Sequence, residues 1–156
     1  MDIKYINPFI NATQTVFKTM LDIELGMEKP VLKTESNTHA DITGVMGLIG
    51  DQKGCMCISL SRKGSEFLYR KLMGDESGDI GPEIVDAIGE LTNIISGQAR
   101  KEFEKSNINL KAAIPTVMVG KDVEIHFITK VPILSLPFFF NTDHGRETLH
   151  VDFSFE

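Results

Sequence analysis

Glu90 and Asn93 place a charged oxygen acceptor and a donor–acceptor amide three residues apart on one predicted helix. They lie in Asp86-Ala87-Ile88-Gly89-Glu90-Leu91-Thr92-Asn93-Ile94-Ile95-Ser96-Gly97-Gln98. At about 100° per residue, Ile84, Ile88, Leu91 and Ile95 make one apolar stripe, while Asp86, Glu90, Asn93 and Gly97 make another on nearly the opposite side. Burial contributes roughly 1.5–3 kcal/mol per Ile or Leu side chain, so the apolar stripe decides how the helix faces and leaves Glu90 and Asn93 exposed. An ordinary solvated face has this pattern too, but two of its residues do not favour a helix. Asn costs several tenths of a kcal/mol relative to Ala and Gly97 about 1 kcal/mol. A Gly one turn beyond Asn93 removes bulk and lets another molecule approach closely.

Other reactive groups are sparse. Cys55 and Cys57 stand two apart in a predicted strand, where side chains share a face but rarely bridge, so they read as thiols. His39, His126, His144 and His150 lack zinc-type spacing, and no metal or cofactor site of the chain's own is expected. With 156 residues, 42% hydrophobic and 24% charged, the chain reads as a single globular domain over 1–156. A net charge of -6 argues against nucleic acid and anionic membranes as partners. No apolar run is long enough to span a membrane, and the polar start resembles no signal segment, so a cytoplasmic protein is expected.

Several elements must position the candidate pair. Phe9, Thr13, Val16, Met20 and Ile23 recur at helical spacing, predicting a helix over 8–25 with Asn7 as N-cap, Pro8 in the first turn and Gly26 closing it. Strands are predicted at 31–36, 40–49 and 55–60 with a hairpin at 50–54. A helix at 63–73 follows, then an acidic, Gly-rich loop at 75–81, then the long helix from Pro82 to about Lys105. Further strands are predicted at 115–119, 122–129, 132–140 and 147–155, the last burying Leu149, Val151, Phe153 and Phe155 and turning His150 to a solvated face. Each half is a long helix followed by strands, which suggests a degenerate internal duplication. The fold class is α+β, with long helices packed on a largely antiparallel sheet.

Asp86-x-x-x-Glu90-x-x-Asn93, followed about twenty residues later by Pro115-Thr116-Val117, resembles the signature of the CheC/CheX/FliY chemotaxis phosphatases. The flanking Ala87-Ile88-Gly89 and Ile94-Ile95-Ser96-Gly97, with Met118-Val119-Gly120, resemble the CheX branch, and the likeness extends over essentially the whole chain. The resemblance implies a CheC-like fold and hydrolysis of the aspartyl phosphate of a CheY-like phosphorylated response regulator. It implies that Glu90 docks on a receiver lysine and that Asn93 holds the attacking water, the receiver supplying Mg²⁺. The alternative is a non-catalytic receiver-binding or flagellar-switch module. Asn7, Asn11 and Gln14 repeat the spacing on the first helix without a carboxylate, so only one functional site is expected. CheX-like members are homodimers joined through their sheets, and the apolar runs 131–136 and 138–140 are read as support for a homodimer here.

Overall fold

The computed structural model describes residues 2–38, 40–74 and 81–156. The chain runs α1 (Ile3–Leu21), β1 (Gly26–Met27), β2 (Val31–Lys33), β3 (Ile42–Gly50), β4 (Lys53–Leu60), α2 (Arg62–Met73), α3 (Glu83–Glu104), β5 (Leu110–Ala112), β6 (Thr116–Val119), β7 (Ile133–Thr142) and β8 (Gly145–Phe155). Among the described residues the eight strands form one antiparallel sheet in the order β1-β7-β8-β4-β3-β5, with β2 also on β7 and β6 also on β3. This is the expected α+β architecture. His39 and most of the predicted acidic loop, 75–80, lie outside the described residues.

The helices share one face of the sheet, because alternate residues of β4, β7 and β8 are large and apolar there. Phe9 of α1 stacks on Phe153 at 4.3 Å, Phe103 of α3 lies 5.6 Å from Phe155, and Phe67 of α2 stacks on Phe140 at 5.9 Å. Aromatic pairs at these separations add about 0.5–1.5 kcal/mol each beyond the area they bury.

The duplication is visible in the pairing itself. The helix and four strands α1-β1-β2-β3-β4 correspond to α3-β5-β6-β7-β8, and each half places its first two short strands on the other half's hairpin: β1 and β2 on β7, β5 and β6 on β3. The two hairpins meet where β4 pairs with β8. The exchange ties the halves into one unit, and α2 is the element that breaks the pseudo-symmetry. Buried threonines mark equivalent helix positions, Thr13 donating to the Phe9 carbonyl and Thr92 to the Ile88 carbonyl, both at 2.7 Å.

Several expectations need correction. The first helix begins at Ile3, not Pro8: Asp2 is the N-cap, its Oδ1 accepting from the Lys4 N–H at 3.1 Å, and Pro8 is a buried interior residue. The helix ends at Leu21, where Asp22 takes the left-handed conformation at φ 51°, a role Asp fills more easily than most residues. Gly26 therefore does not close it but stands in β1 opposite Phe139, whose ring occupies the space a side chain on residue 26 would need. Met20 accordingly leaves the predicted buried face and is exposed.

The segment 122–129 alternates between half-buried and exposed residues as a strand should, yet among the described residues it joins no ladder of the sheet. It crosses the face opposite the helices, pairing with 36–38 through Thr38 N–H to the Val123 carbonyl and Ile125 N–H to the Ser36 carbonyl. That back face is consequently covered at its centre, with Cys57, Ser59, Asp152 and Ser154 all buried. His150 lies on this face, half-buried between Ser59 and Pro137 in the ladder, instead of standing in solvent. Lys33 reaches in from β2 to pair with Asp152 at 2.5 Å, supplying the countercharge a buried carboxylate requires.

The apolar runs at 131–136 and 138–140 also have a different explanation. β7 is an interior strand between β8 and the β1/β2 pair, and Leu134, Leu136, Phe138 and Phe140 belong to the core. Pro137 is tolerated there because its carbonyl side faces the break between β1 and β2, where Glu28 donates to it, so the missing N–H interrupts no bond to β8.

Candidate functional site

Helix α3 is held by a continuous buried face. Ile84, Ile88, Leu91, Ile95, Ala99 and Phe103 are at most 1% exposed, so all four residues of the predicted apolar stripe are core. Two close approaches set the helix's rotation. Thr92 sits on Gly44 of β3, where a Cβ would stand 2.0 Å from the threonine Oγ1; Gly89 faces Val117 of β6, whose Cγ2 lies 3.2 Å from the position of an added Cβ. Gly44 pairs with Val117 across β3 and β6, so both contacts fall at one level of the sheet edge. Neither Gly44 nor Thr92 was singled out from the sequence, although a Gly inside a strand pattern does signal a close approach of another element.

With the helix so clamped, Asp86, Glu90 and Asn93 are exposed and Gly97 is half-buried. The structure thus brings together the predicted site residues on one solvent-facing stripe. Glu90 and Asn93 are separated by about 4.5 Å of helical rise and roughly 60° of rotation, close enough to act on one partner group. Among the described residues neither is engaged in a hydrogen bond or an ion pair, so their polar atoms are available to a partner. Pro115 precedes β6 and Thr116 opens it, and the strand meets α3 where Val117 faces Gly89.

The equivalent positions of α1 carry Asn7, Asn11 and Gln14, all exposed. The back of the sheet is chemically separate from α3. Cys55 and Cys57 are free thiols there; the hydrogen bond between them raises the Cys57 thiol well above its ordinary range, with burial adding to the effect. The same bond lowers Cys55, against the opposing effect of burial. His126 lies beside Glu124 at 3.3 Å, exposed, while His144 is in the β7–β8 turn. Among the described residues no three His, Cys, Asp or Glu side chains are grouped to hold a metal ion. No helix among them is long and apolar enough to cross a membrane.

This architecture has counterparts among known proteins. Residues 42–139 match the family described as Chemotaxis phosphatase CheX. The CheY-P phosphatase CheX of Thermotoga maritima is 26% identical over 137 residues, covering 85% of this chain and 88% of its own. The crystal structure of a chemotaxis protein CheX from Desulfovibrio desulfuricans superposes with a TM-score of 0.86 at 30% identity, covering 97% of this chain and 99% of that one. The structure of a CheX–CheY–BeF3–Mg²⁺ complex from Borrelia burgdorferi shares the fold at a TM-score of 0.79 and 24% identity, covering 97% of each chain. With the matched region spanning β3 through most of β7, and with it the whole of α3, the chain belongs to the CheX family of chemotaxis phosphatases.

Proposed function

We propose that this protein stimulates hydrolysis of the aspartyl phosphate of a CheY-like response regulator, with Asn93 positioning the attacking water and Glu90 docking on a receiver lysine. The observation that carries the reading is the pair itself: a carboxylate and a carboxamide, exposed and unpartnered among the described residues, on a helix whose rotation is fixed by core contacts. The relative from Thermotoga maritima is a CheY-P phosphatase, and the complex from Borrelia burgdorferi places a CheX against CheY, which supports the choice of substrate.

The chemistry suits this sparse site. Water attacks phosphorus, the bond to the aspartyl oxygen breaks, and the products are inorganic phosphate and the free carboxylate. Catalysis of such a transfer rests on positioning and charge stabilisation. The phosphorylated receiver brings its own Mg²⁺ and lysine, leaving the amide of Asn93 to orient the nucleophile through its donor and acceptor. A ~100-fold acceleration needs only about 2.7 kcal/mol. The protein acts as a homodimer in this reading; Val31 and Leu32 are exposed apolar residues on the outer strand β2 that a second copy would cover.

The test is phosphate release from a phosphorylated CheY-like receiver with and without this protein. Receiver-dependent, Mg²⁺-dependent release that disappears in Asn93→Ala is the expected result. Binding without acceleration would instead identify a non-catalytic receiver-binding module. Calorimetry should detect no tight Mg²⁺ binding by the isolated chain, whereas stoichiometric binding lost in Glu90→Gln would point to a metallohydrolase. Sedimentation at micromolar concentration should give the dimer mass, and a monomer would remove that part of the proposal.

A further inference from the structure

Asp86, Asn93 and Arg100 follow one another at seven-residue intervals along α3. Each such step moves only about 20° around a helix, so Arg100 stands almost on the meridian of Asn93, two turns nearer the C-terminus. Helical side chains lean toward the N-terminus, and Arg100 does so across Gly97: its Nη2 lies 3.8 Å from where a Cβ on Gly97 would be. The missing side chain at residue 97 leaves the guanidinium room to lie along the exposed stripe in the direction of Asn93.

Nothing among the described residues of the chain engages that guanidinium. Arg100 Nε is shielded from water with no hydrogen-bond partner, and no ion pair is formed to it. Glu102, an acid on the same turn, is already taken: its Oε1 accepts from Lys105 at 2.8 Å and from Gln98 at 3.3 Å. Lys33, Arg62 and Arg146, by contrast, each meet a carboxylate of the chain. A planar cation with unspent donors is fitted to a carboxylate.

We propose that Arg100 is a second docking residue of the α3 surface, binding a carboxylate of the receiver at the rim of its phosphorylation site. The inference rests on the function proposed above and adds a polarity to it. Glu90 reads a cation at one end of the stripe and Arg100 an anion at the other, about 15 Å further along the axis, so the receiver can engage both in only one orientation. The Cα of Arg100 is about 10 Å along the axis from that of Asn93, which places its contact on the rim and not on the reacting phosphoryl group.

The test measures binding of a CheY-like receiver activated with beryllofluoride and Mg²⁺, alongside steady-state phosphate release, using the full chain. Arg100→Ala is expected to raise both Kd and KM about tenfold with kcat within about twofold, Arg100→Glu to raise them further, and Arg100→Lys to recover part of the loss. Lys101→Ala, which removes a neighbouring exposed cation roughly 80° off the meridian, should change Kd less than twofold. Thermal melts of each variant check folding, and Arg100→Lys keeps the test valid should the alanine variant fold poorly. Wild-type affinity in Arg100→Glu overturns the inference, as does an equal effect of Lys101→Ala or a loss confined to kcat. If binding depends on Arg100 but wild-type protein releases no phosphate, the docking role stands and the catalytic reading falls. If release depends on Asn93 while Arg100→Glu binds normally, the reverse holds. A wild-type chain that binds no activated receiver overturns both.

Discussion

Asn93→Ala should make the protein slightly more stable while disabling it. Asn93 is exposed in the middle of α3 and forms no hydrogen bond or ion pair among the described residues, so truncation removes no internal contact of that kind. Ala is a better helix former than Asn by roughly 0.5–0.7 kcal/mol. For a chain of this size about 1 kcal/mol moves Tm by about 2–4 °C, so the melting temperature should rise by about 1–2 °C. Stimulated phosphate release should fall about 100-fold, a loss of about 2.7 kcal/mol of transition-state stabilisation. The opposite signs are diagnostic, because damage to the fold lowers both quantities together. Melting curves and a phosphate-release assay on one preparation test both. Retained stimulation would remove Asn93 from the mechanism, and destabilisation by more than about 1 kcal/mol would refute the claim that its side chain has no structural task.

Three further outcomes follow from the same geometry. Glu90→Ala should leave stability nearly unchanged, since Glu and Ala are both good helix formers, while raising KM for the phosphorylated receiver about tenfold; unchanged KM in steady-state kinetics would dismiss the docking role. Asp152→Asn should destabilise by about 3 kcal/mol, because it leaves Lys33 facing the back of the sheet without its countercharge, and the Lys33→Met/Asp152→Leu pair should recover much of that in urea titrations. Maleimide labelling of the native protein should modify Cys55 well before Cys57, whose thiol is buried and held protonated; equal rates would contradict the hydrogen-bond direction assigned to the pair.

The site was legible because its two stripes carry opposite chemistry on one helical period: Ile84, Ile88, Leu91 and Ile95 could only be buried, and Glu90 and Asn93 then had only one place to go. The same reasoning failed on α1, where Pro8 reads locally as a helix start. Asp2 in fact caps that helix, and the core contacts of Phe9, Val16 and Phe17 outweigh the hydrogen bond that an interior proline forfeits. Alternation at 122–129 signalled a half-buried extended segment correctly, but periodicity carries no information on whether such a segment enters the sheet or crosses its back. Nor could the apolar runs of β7 distinguish an interior strand from an interface. β5 was missed because three residues are too few to show a period. Gly44 and Thr92 escaped because their meaning lies in a contact between positions 48 apart in the chain.

The pseudo-symmetry also explains why a chain with two equivalent helices carries one candidate site. On their buried faces α1 and α3 obey the same constraint, packing on a sheet whose halves are interchanged, and even the back-bonded Thr13 and Thr92 are kept in equivalent positions. On their exposed faces nothing in the fold dictates the residue. Asn7-Asn11-Gln14 and Asp86-Glu90-Asn93 are alternative fillings of the same solvated stripe, and exchanging one for the other changes stability by propensity differences of tenths of a kcal/mol per position. The core can therefore hold the scaffold two-fold while a carboxylate at this position of the stripe stands on one helix alone. That separation leaves the exposed stripe of α3 free to change its residues at little cost to the fold.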